Sequence, residues 1–549
     1  MKNKIRNIVG IMALGLVTCY AGGNFVHVQA AEPYKVKGTV YTVKKSKGKI
    51  SDDVNRAILA ASKKAAKTGK HYTVRLKKGT YTVPKTIHLY SGVTLDATGS
   101  VLKDISSYGN MLMSGDVKRN TSKKTGAGYK AFHDIGIVGG TWKASVKNEA
   151  TIMRLGHGKK LSVKNVTLDG GGGIHQLETA SINGLTVDGC TFKNLKYRSG
   201  ENKQEALQLD VSCNTSVFPD YVMDAAVTKN VTVKGCTFIN VPRGVGTHTL
   251  LLGHYFENIT ITGNTFKNVR EEAIIALGYH NFTIEKNKIR DCGAGILAQY
   301  FKSSPSSVWT TTHDGSKMVT GEIRHDAKGV ISGNSIQLKE KSLADEVCGI
   351  KLYGAKLTAS AKGGDGKKVL AKDYYISNVT VKDNRIQTSG MGIHLMDAKN
   401  CVIADNTIQG TWSNDGKSKN PKGIFLALAS TGNKICGNTV EKFYSNGILL
   451  QDASSATEIN ANRLSGIGGT TSIAGIKLTG ENTDATEIVQ NVIGKGTYGF
   501  GCTGDAIIVT GGASAGVIEK NEIDGAGGHD VKVSGGTVKV IHQDDVFAW

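Results

Sequence analysis

From residue 134 onward the chain repeats one short pattern: an aliphatic alternation, then Gly or Asn, then Thr or another small residue, then an apolar residue. Clear copies are Leu185-Thr186-Val187-Asp188-Gly189-Cys190-Thr191-Phe192, Val231-Thr232-Val233-Lys234-Gly235-Cys236-Thr237-Phe238 and Ile259-Thr260-Ile261-Thr262-Gly263-Asn264-Thr265-Phe266. Others run through Asn287 and Asn384, and weaker ones centre on Asn334, Asn406, Asn438, Asn462, Asn491 and Asn521. Alternation with period two marks a strand that buries one face. The Gly-Asn or Asp-Asn pair that closes a copy tolerates left-handed backbone and predicts a sharp turn. Between copies lies a second short strand opened by glycine, as in Gly295-Ile296-Leu297-Ala298, Gly392-Ile393-His394-Leu395 and Gly423-Ile424-Phe425-Leu426. Two or three strands with tight turns per period of about 22 to 30 residues predict one coil of a stacked parallel β-helix. The aligned asparagines predict a hydrogen-bonded ladder at one corner. Cys190 and Cys236 hold equivalent places in the repeat and are expected to be buried as small hydrophobes.

The segment before the repeat differs. Asp52-Asp53-Val54-Asn55 opens an Ala/Lys-rich helix predicted to run to about residue 68, and a strand and turn follow over Thr73 to Tyr81. With Leu89-Tyr90-Ser91-Gly92-Val93-Thr94-Leu95-Asp96 as the next strand, this part resembles the capped first coil of the right-handed parallel β-helix superfamily of pectate lyases, polygalacturonases and phage tailspikes. The resemblance implies an all-β solenoid with a short N-terminal capping helix. It does not imply one reaction, since one fold hosts many activities. The expected organisation is residues 1–30 as a signal peptide, 31–105 as cap and first coils, and 106–549 as β-helix, with insertions near 211–229 and 302–328.

The signal peptide rests on Lys2, Lys4 and Arg6, an apolar core from Ile8 to Ala21, and the small-residue site Val28-Gln29-Ala30. A secreted protein is expected, with no membrane span. Composition agrees with a folded chain: 39% of the 549 residues are hydrophobic and 21% charged, which excludes a disordered linker. The 69 glycines accompany only 6 prolines, which excludes collagen. The formal charge is +22, and removing residues 1–30 takes away Lys2, Lys4 and Arg6 and no acid. The partner expected is therefore an extracellular polysaccharide or glycan, possibly acidic. Clustered basic and aromatic residues of a nucleic-acid module are missing. The eight cysteines beyond the signal segment form no dense disulfide framework, C-x-x-C pair or linear Cys/His metal spacing, and a monomer is expected.

Candidate chemistry comes from local register. In Glu205-Ala206-Leu207-Gln208-Leu209-Asp210, inward Leu207 and Leu209 put Gln208 and Asp210 outside. The next coil, Arg243-Gly244-Val245-Gly246-Thr247-His248, puts His248 outward and, by counting, beside Asp210 on a strand about 4.8 Å away. The preceding coil offers His175 and Glu178, the latter expected in the same outward row. The catalytic candidates are thus Asp210, Glu178, His248 and Arg243. Gln208, Glu205, His175, His254, Tyr221 and Trp309 are the substrate-binding candidates, the last two from the insertions, where aromatic rings stack on sugars. Trp142 is expected to pack inside a coil.

Glycosidic hydrolysis needs one protonated and one ionised carboxyl group roughly 5 to 9.5 Å apart. A glycoside hydrolase is the first reading. A polysaccharide lyase or uronate epimerase would use a base and a cation, with Arg243, His248, His254 or bound Ca²⁺ in reach. The polygalacturonase motifs are absent apart from Gly156-His157-Gly158, which is expected to be a coil turn. The structural alternative has Asp210 capping a loop and Glu178 pairing with Arg243 at the surface. A non-catalytic adhesive or glycan-binding solenoid is the remaining class.

Overall fold

The computed structural model describes residues 32–44, 50–105, 109–115, 128–199, 204–213, 224–300, 321–339, 347–356, 373–412, 421–469 and 473–548, with a few short pieces between them. The expected signal peptide, Tyr221 and Trp309 lie outside the described residues, apart from two three-residue strands, Val17–Cys19 and Val26–Val28. The chain winds into a three-faced parallel β-helix. Fifteen parallel strands form the third face among the described residues. The first and second faces run into one another because long strands turn the corner: in Leu177–Asp188, residues 177–180 pair with Leu207–Asp210, and residues from Asn183 to Asp188 pair with Lys229–Lys234. Among the described residues, no helix is long and apolar enough to cross a membrane.

The expected ladder is present and fully internal. Asn264, Asn287, Asn334, Asn384, Asn406, Asn438, Asn462, Asn491 and Asn521 pass a side-chain hydrogen bond from coil to coil, each Nδ2 donating to the next Oδ1 at 2.9 to 3.0 Å. Cys236 and Cys190 continue the line toward the N-terminus: the Cys236 N–H donates to Asn264 Oδ1 at 2.8 Å and the Cys190 N–H reaches Cys236 Sγ at 3.4 Å. Both thiols are buried and free. Steps of 22 and 32 residues are single coils, whereas steps of 47 and 50 carry insertions.

The left-handed residue of each turn is the one before the asparagine. Gly263, Gly333 and Gly437 have φ of 62°, 61° and 66°, and Lys286, Asp383 and Gln490 adopt φ of 53° to 55° at equivalent places. The glycines that open strands answer a different need. Gly423 has no positive φ; a Cβ there would lie 2.2 Å from Val440 Cγ1 and 2.5 Å from the Gly447 carbonyl oxygen. This row faces the inner side chains of the third face, which include the stack Phe192, Phe238 and Phe266 with ring centroids 4.7 and 4.8 Å apart. Trp142 is fully buried, as expected of coil packing.

The helix Ile50–Thr68 covers the first coils with Val54, Ala57, Ile58, Ala61 and Ala65. Asn55 fastens it, accepting from the His88 N–H at 2.8 Å and donating to the Thr86 carbonyl at 2.9 Å. This closes an end whose strand edge would otherwise be free to pair. The ladder sets the stability expectation. Asn384→Ala takes the shared acceptor from the Asn334 N–H and Nδ2 in the interior, which costs about 1–3 kcal/mol for each stranded group, while Asn406 Oδ1 keeps the backbone N–H of residue 384. Denaturant unfolding should show a clear loss for Asn384→Ala and little change for exposed Lys267→Ala.

Candidate functional site

The site lies on the first face, where three successive coils carry Leu177–Asp188, Glu205–Asp210 and Arg243–Gly246. Leu177, Leu207 and Val245 align inward, so the adjoining outward row reads Arg154, Glu178, Gln208, Gly246. Ala180 aligns with Asp210 one outward position further along. Glu178 therefore sits diagonally from Asp210 rather than in its row, a correction to the expected stripe.

Glu178 is 1% exposed and held by Arg154 Nε at 2.7 Å and the Thr151 hydroxyl at 3.2 Å. The Glu178–Arg243 pair considered as a structural alternative does not form. Arg243 instead grips Glu271 at 2.6 Å and Glu272 at 2.9 Å on the next coil. Arg154 and Thr151 escaped the sequence reading, although Arg154 is outward by the same alternation that placed Glu178.

His248 does not stand beside Asp210 in a ladder. The strand ends at Gly246, and His248 turns back so that Nδ1 meets Glu205 Oε2 at 2.8 Å. Gly246 makes this possible: a Cβ there would fall 3.0 Å from Glu205 Cγ and 3.0 Å from Ile275 Cβ. Gln208 Nε2 lies 3.3 and 3.5 Å from the two His248 ring nitrogens. His175 Nδ1 is 2.8 Å from the Glu205 carbonyl oxygen.

Glu205 and His175 were expected to touch substrate. Both are buried, and their polar atoms face one another and His248, so they form the floor of the site. Neither Glu205 Oε1 nor Gln208 Oε1 has a hydrogen-bond partner among the described residues. His254 belongs to the Leu251–His254 turn; burial pushes its pKa down against a hydrogen bond with the Ala225 backbone, and it stands outside the cluster's ion pairs. His157 is buried in a strand, with Nδ1 2.8 Å from the Gly128 carbonyl and Nε2 3.2 Å from Ser212 Oγ.

The carboxyl groups are driven apart electrostatically. Burial raises the Asp210 pKa to about 7; Glu178 and Glu205 add to the rise, while His248 and the Val211 N–H oppose it. That N–H lies 2.7 Å from Asp210 Oδ1. Burial would also raise Glu205, but the charge and hydrogen bond of His248, with His175 and Arg243, hold it near 2. Burial lowers His175 against the pull of Glu178 and Glu205. Asp210 thus titrates near neutral pH, while Glu205 stays ionised there. The insertion after Asp210 leaves through an antiparallel bridge between Val211 and Val227. Two imidazoles and one carboxylate converge here, an N/O donor set unlike the all-oxygen cage that Ca²⁺ takes.

The stacked coils and the one-faced site define a right-handed parallel β-helix protein. The chain matches the family described as right handed beta helix region over residues 183–358 and 322–493, more than half its length, and it belongs to that family. Among solved structures it is similar to PfbA, a surface adhesin of Streptococcus pneumoniae, with 17% identity, 79% of this chain and 89% of that one covered, and a TM-score of 0.51. It also matches the tailspike protein of E. coli bacteriophage HK620 in complex with a pentasaccharide, at 12% identity over 87% and 76% of the two chains, with a TM-score of 0.46. These likenesses concern the fold. No curated protein matches by sequence.

The Asp210 assignment predicts a pH dependence. Its folded pKa of about 7 exceeds the ordinary 3.8, so the folded state binds more protons between these values and its stability falls as pH rises through them. A gap of about 3 units corresponds to roughly 4 kcal/mol. Asp210→Asn removes this dependence. In metal-free buffer its stability relative to wild type should improve steadily from about pH 4 to 7; a difference independent of pH contradicts the assignment.

Proposed function

We propose that this protein is an exported glycoside hydrolase that cleaves an extracellular glycan on the first face of the solenoid. Asp210 is the general acid and Glu178 the ionised partner, acting as base or nucleophile. The observation that carries this reading is the diagonal placement of two buried carboxyl groups on adjacent coils, one raised to about 7 and the other ion-paired with Arg154. Adjacent strands about 4.8 Å apart and two residues of rise put their Cα atoms roughly 8 Å apart, a scale suited to carboxyl pairs of glycosidases. Burial raises the pKa of one carboxyl group toward the range of a general acid, and an arginine pairs with the other.

The neighbouring cations favour hydrolysis over β-elimination. A lyase needs a free positive group to neutralise the uronate as its α-proton leaves. Here Arg154 is paired with Glu178, and Arg243 with Glu271 and Glu272. The basic balance of the whole chain favours a glycan carrying acidic groups, attracted over a distance.

A panel of neutral and acidic polysaccharides, assayed for new reducing ends, tests this. Wild-type protein should release them, and Asp210→Asn and Glu178→Gln should each lower the rate by about 10²- to 10⁴-fold with circular dichroism unchanged. Ultraviolet absorbance of unsaturated ends without hydrolysis would identify a lyase, and glycan binding unaffected by either substitution, without turnover, would identify an adhesive solenoid.

A further inference from the structure

We propose that His175, Glu205 and His248 bind one divalent transition-metal ion of the zinc class. The inference does not depend on the proposed hydrolysis, which uses Asp210 and Glu178. Three consecutive coils each deliver one of these residues, and the three donor atoms lie within 4.8 Å of one another. His248 Nδ1 and Glu205 Oε2 are already 2.8 Å apart. Donors in a tetrahedral zinc shell stand about 3.3 Å apart, so the widest pair must close by up to about 1.5 Å.

The rings are placed for a shared ion. Two imidazoles bound to one tetrahedral zinc at about 2.0–2.1 Å put their ring centres roughly 5 Å apart. The His175 and His248 centroids are 5.4 Å apart, stacked with 14° between the ring planes, so binding keeps their separation but turns at least one ring to bring its in-plane lone pair onto the ion. The Glu205 carbonyl, 2.8 Å from His175 Nδ1, takes that N–H and leaves Nε2 as the basic nitrogen, so the ring must rotate to bind, because Nδ1 is the nitrogen 3.7 Å from Glu205 Oε2. A carbonyl behind a ligating histidine commonly fixes the tautomer in this way.

Two further observations favour a cation at this cluster. Glu205 Oε1 and Gln208 Oε1 are buried acceptors without a hydrogen-bond partner among the described residues. The nearest guanidinium contact of Glu205 is Arg243 at 4.0 Å, and that group is engaged by Glu271 and Glu272. Two nitrogens and one carboxylate suit zinc and its transition-metal neighbours and disfavour calcium or magnesium, which prefer oxygen cages. Three protein ligands leave the fourth position open, as in catalytic rather than structural zinc sites.

The test uses the untagged mature protein, stripped with chelator and titrated with zinc by calorimetry. Wild type should bind one ion, and His175→Ala, Glu205→Gln and His248→Ala should each lose that binding at least tenfold. His394→Ala, further along the same face, should keep it. X-ray absorption of the zinc-loaded wild type gives a readout that no variant's folding can blur: the shell should contain two imidazoles and light oxygen donors. Absence of binding by wild type, full binding by the triad variants, or a shell without imidazole would each overturn the proposal.

Discussion

From Asn264 to Asn521 every coil must bring its corner asparagine onto the line set by its neighbour, and the rest of the structure depends on that register. The amide of Asn384 is joined to Asn334 on one side and Asn406 on the other, inside the protein, where an unmatched amide has no water to turn to. A strand slipped by one residue would break these bonds and turn its apolar set outward at the same time. Stacking therefore converts each sequence position into a row running along the solenoid. Insertions of very different length can leave at the corners without disturbing the rows, as the steps of 47 and 50 residues between ladder asparagines illustrate.

The site exploits the same rule. Arg154, Glu178, Gln208 and Gly246 share one row because Met153, Leu177, Leu207 and Val245 share the row beside it. Charges collected on neighbouring coils are then sorted by their surroundings. Arg154 holds Glu178, Arg243 is drawn to Glu271 and Glu272, and Asp210 is left with a backbone N–H and burial. A single missing side chain at Gly246 lets Glu205 lie across the row and turns His248 inward. Acid, ionised carboxylate and imidazole pair thus arise within three coils of one face.

Much of the fold was legible because its signals are local and repeated. Period-two alternation revealed the strands, the recurring Asn revealed the ladder, and the acidic start of the helix marked the cap that fits over the first coils. The meaning of the glycines was only half legible. Left-handed turns before Asn264 or Asn438 follow from local preference, but the close approach of Gly423 to Val440 depends on which residues face one another across the coil interior. At the site, register counting put Asp210 and Glu178 outward on adjoining coils, but it set Glu178 in the wrong row and failed where the strand ended. It placed His248 in the ladder, whereas the chain leaves the sheet at Gly246. Glu205 was treated as a contact residue because its position before Leu207 gave no sign of the enclosure formed by His175, His248 and Arg243. Arg154 was within reach of the same counting, one coil earlier.

The central claim is that Asp210 and Glu178 face a bound sugar across the first face. A crystal structure of Asp210→Asn with an oligosaccharide from a cleaved glycan tests it most directly. The account predicts a glycosidic oxygen within hydrogen-bonding reach of the side chain at position 210, with the Glu178 carboxylate on the neighbouring coil directed at the same sugar. An oligosaccharide seated on another face, or along the first face with neither side chain in reach of a glycosidic bond, would contradict it.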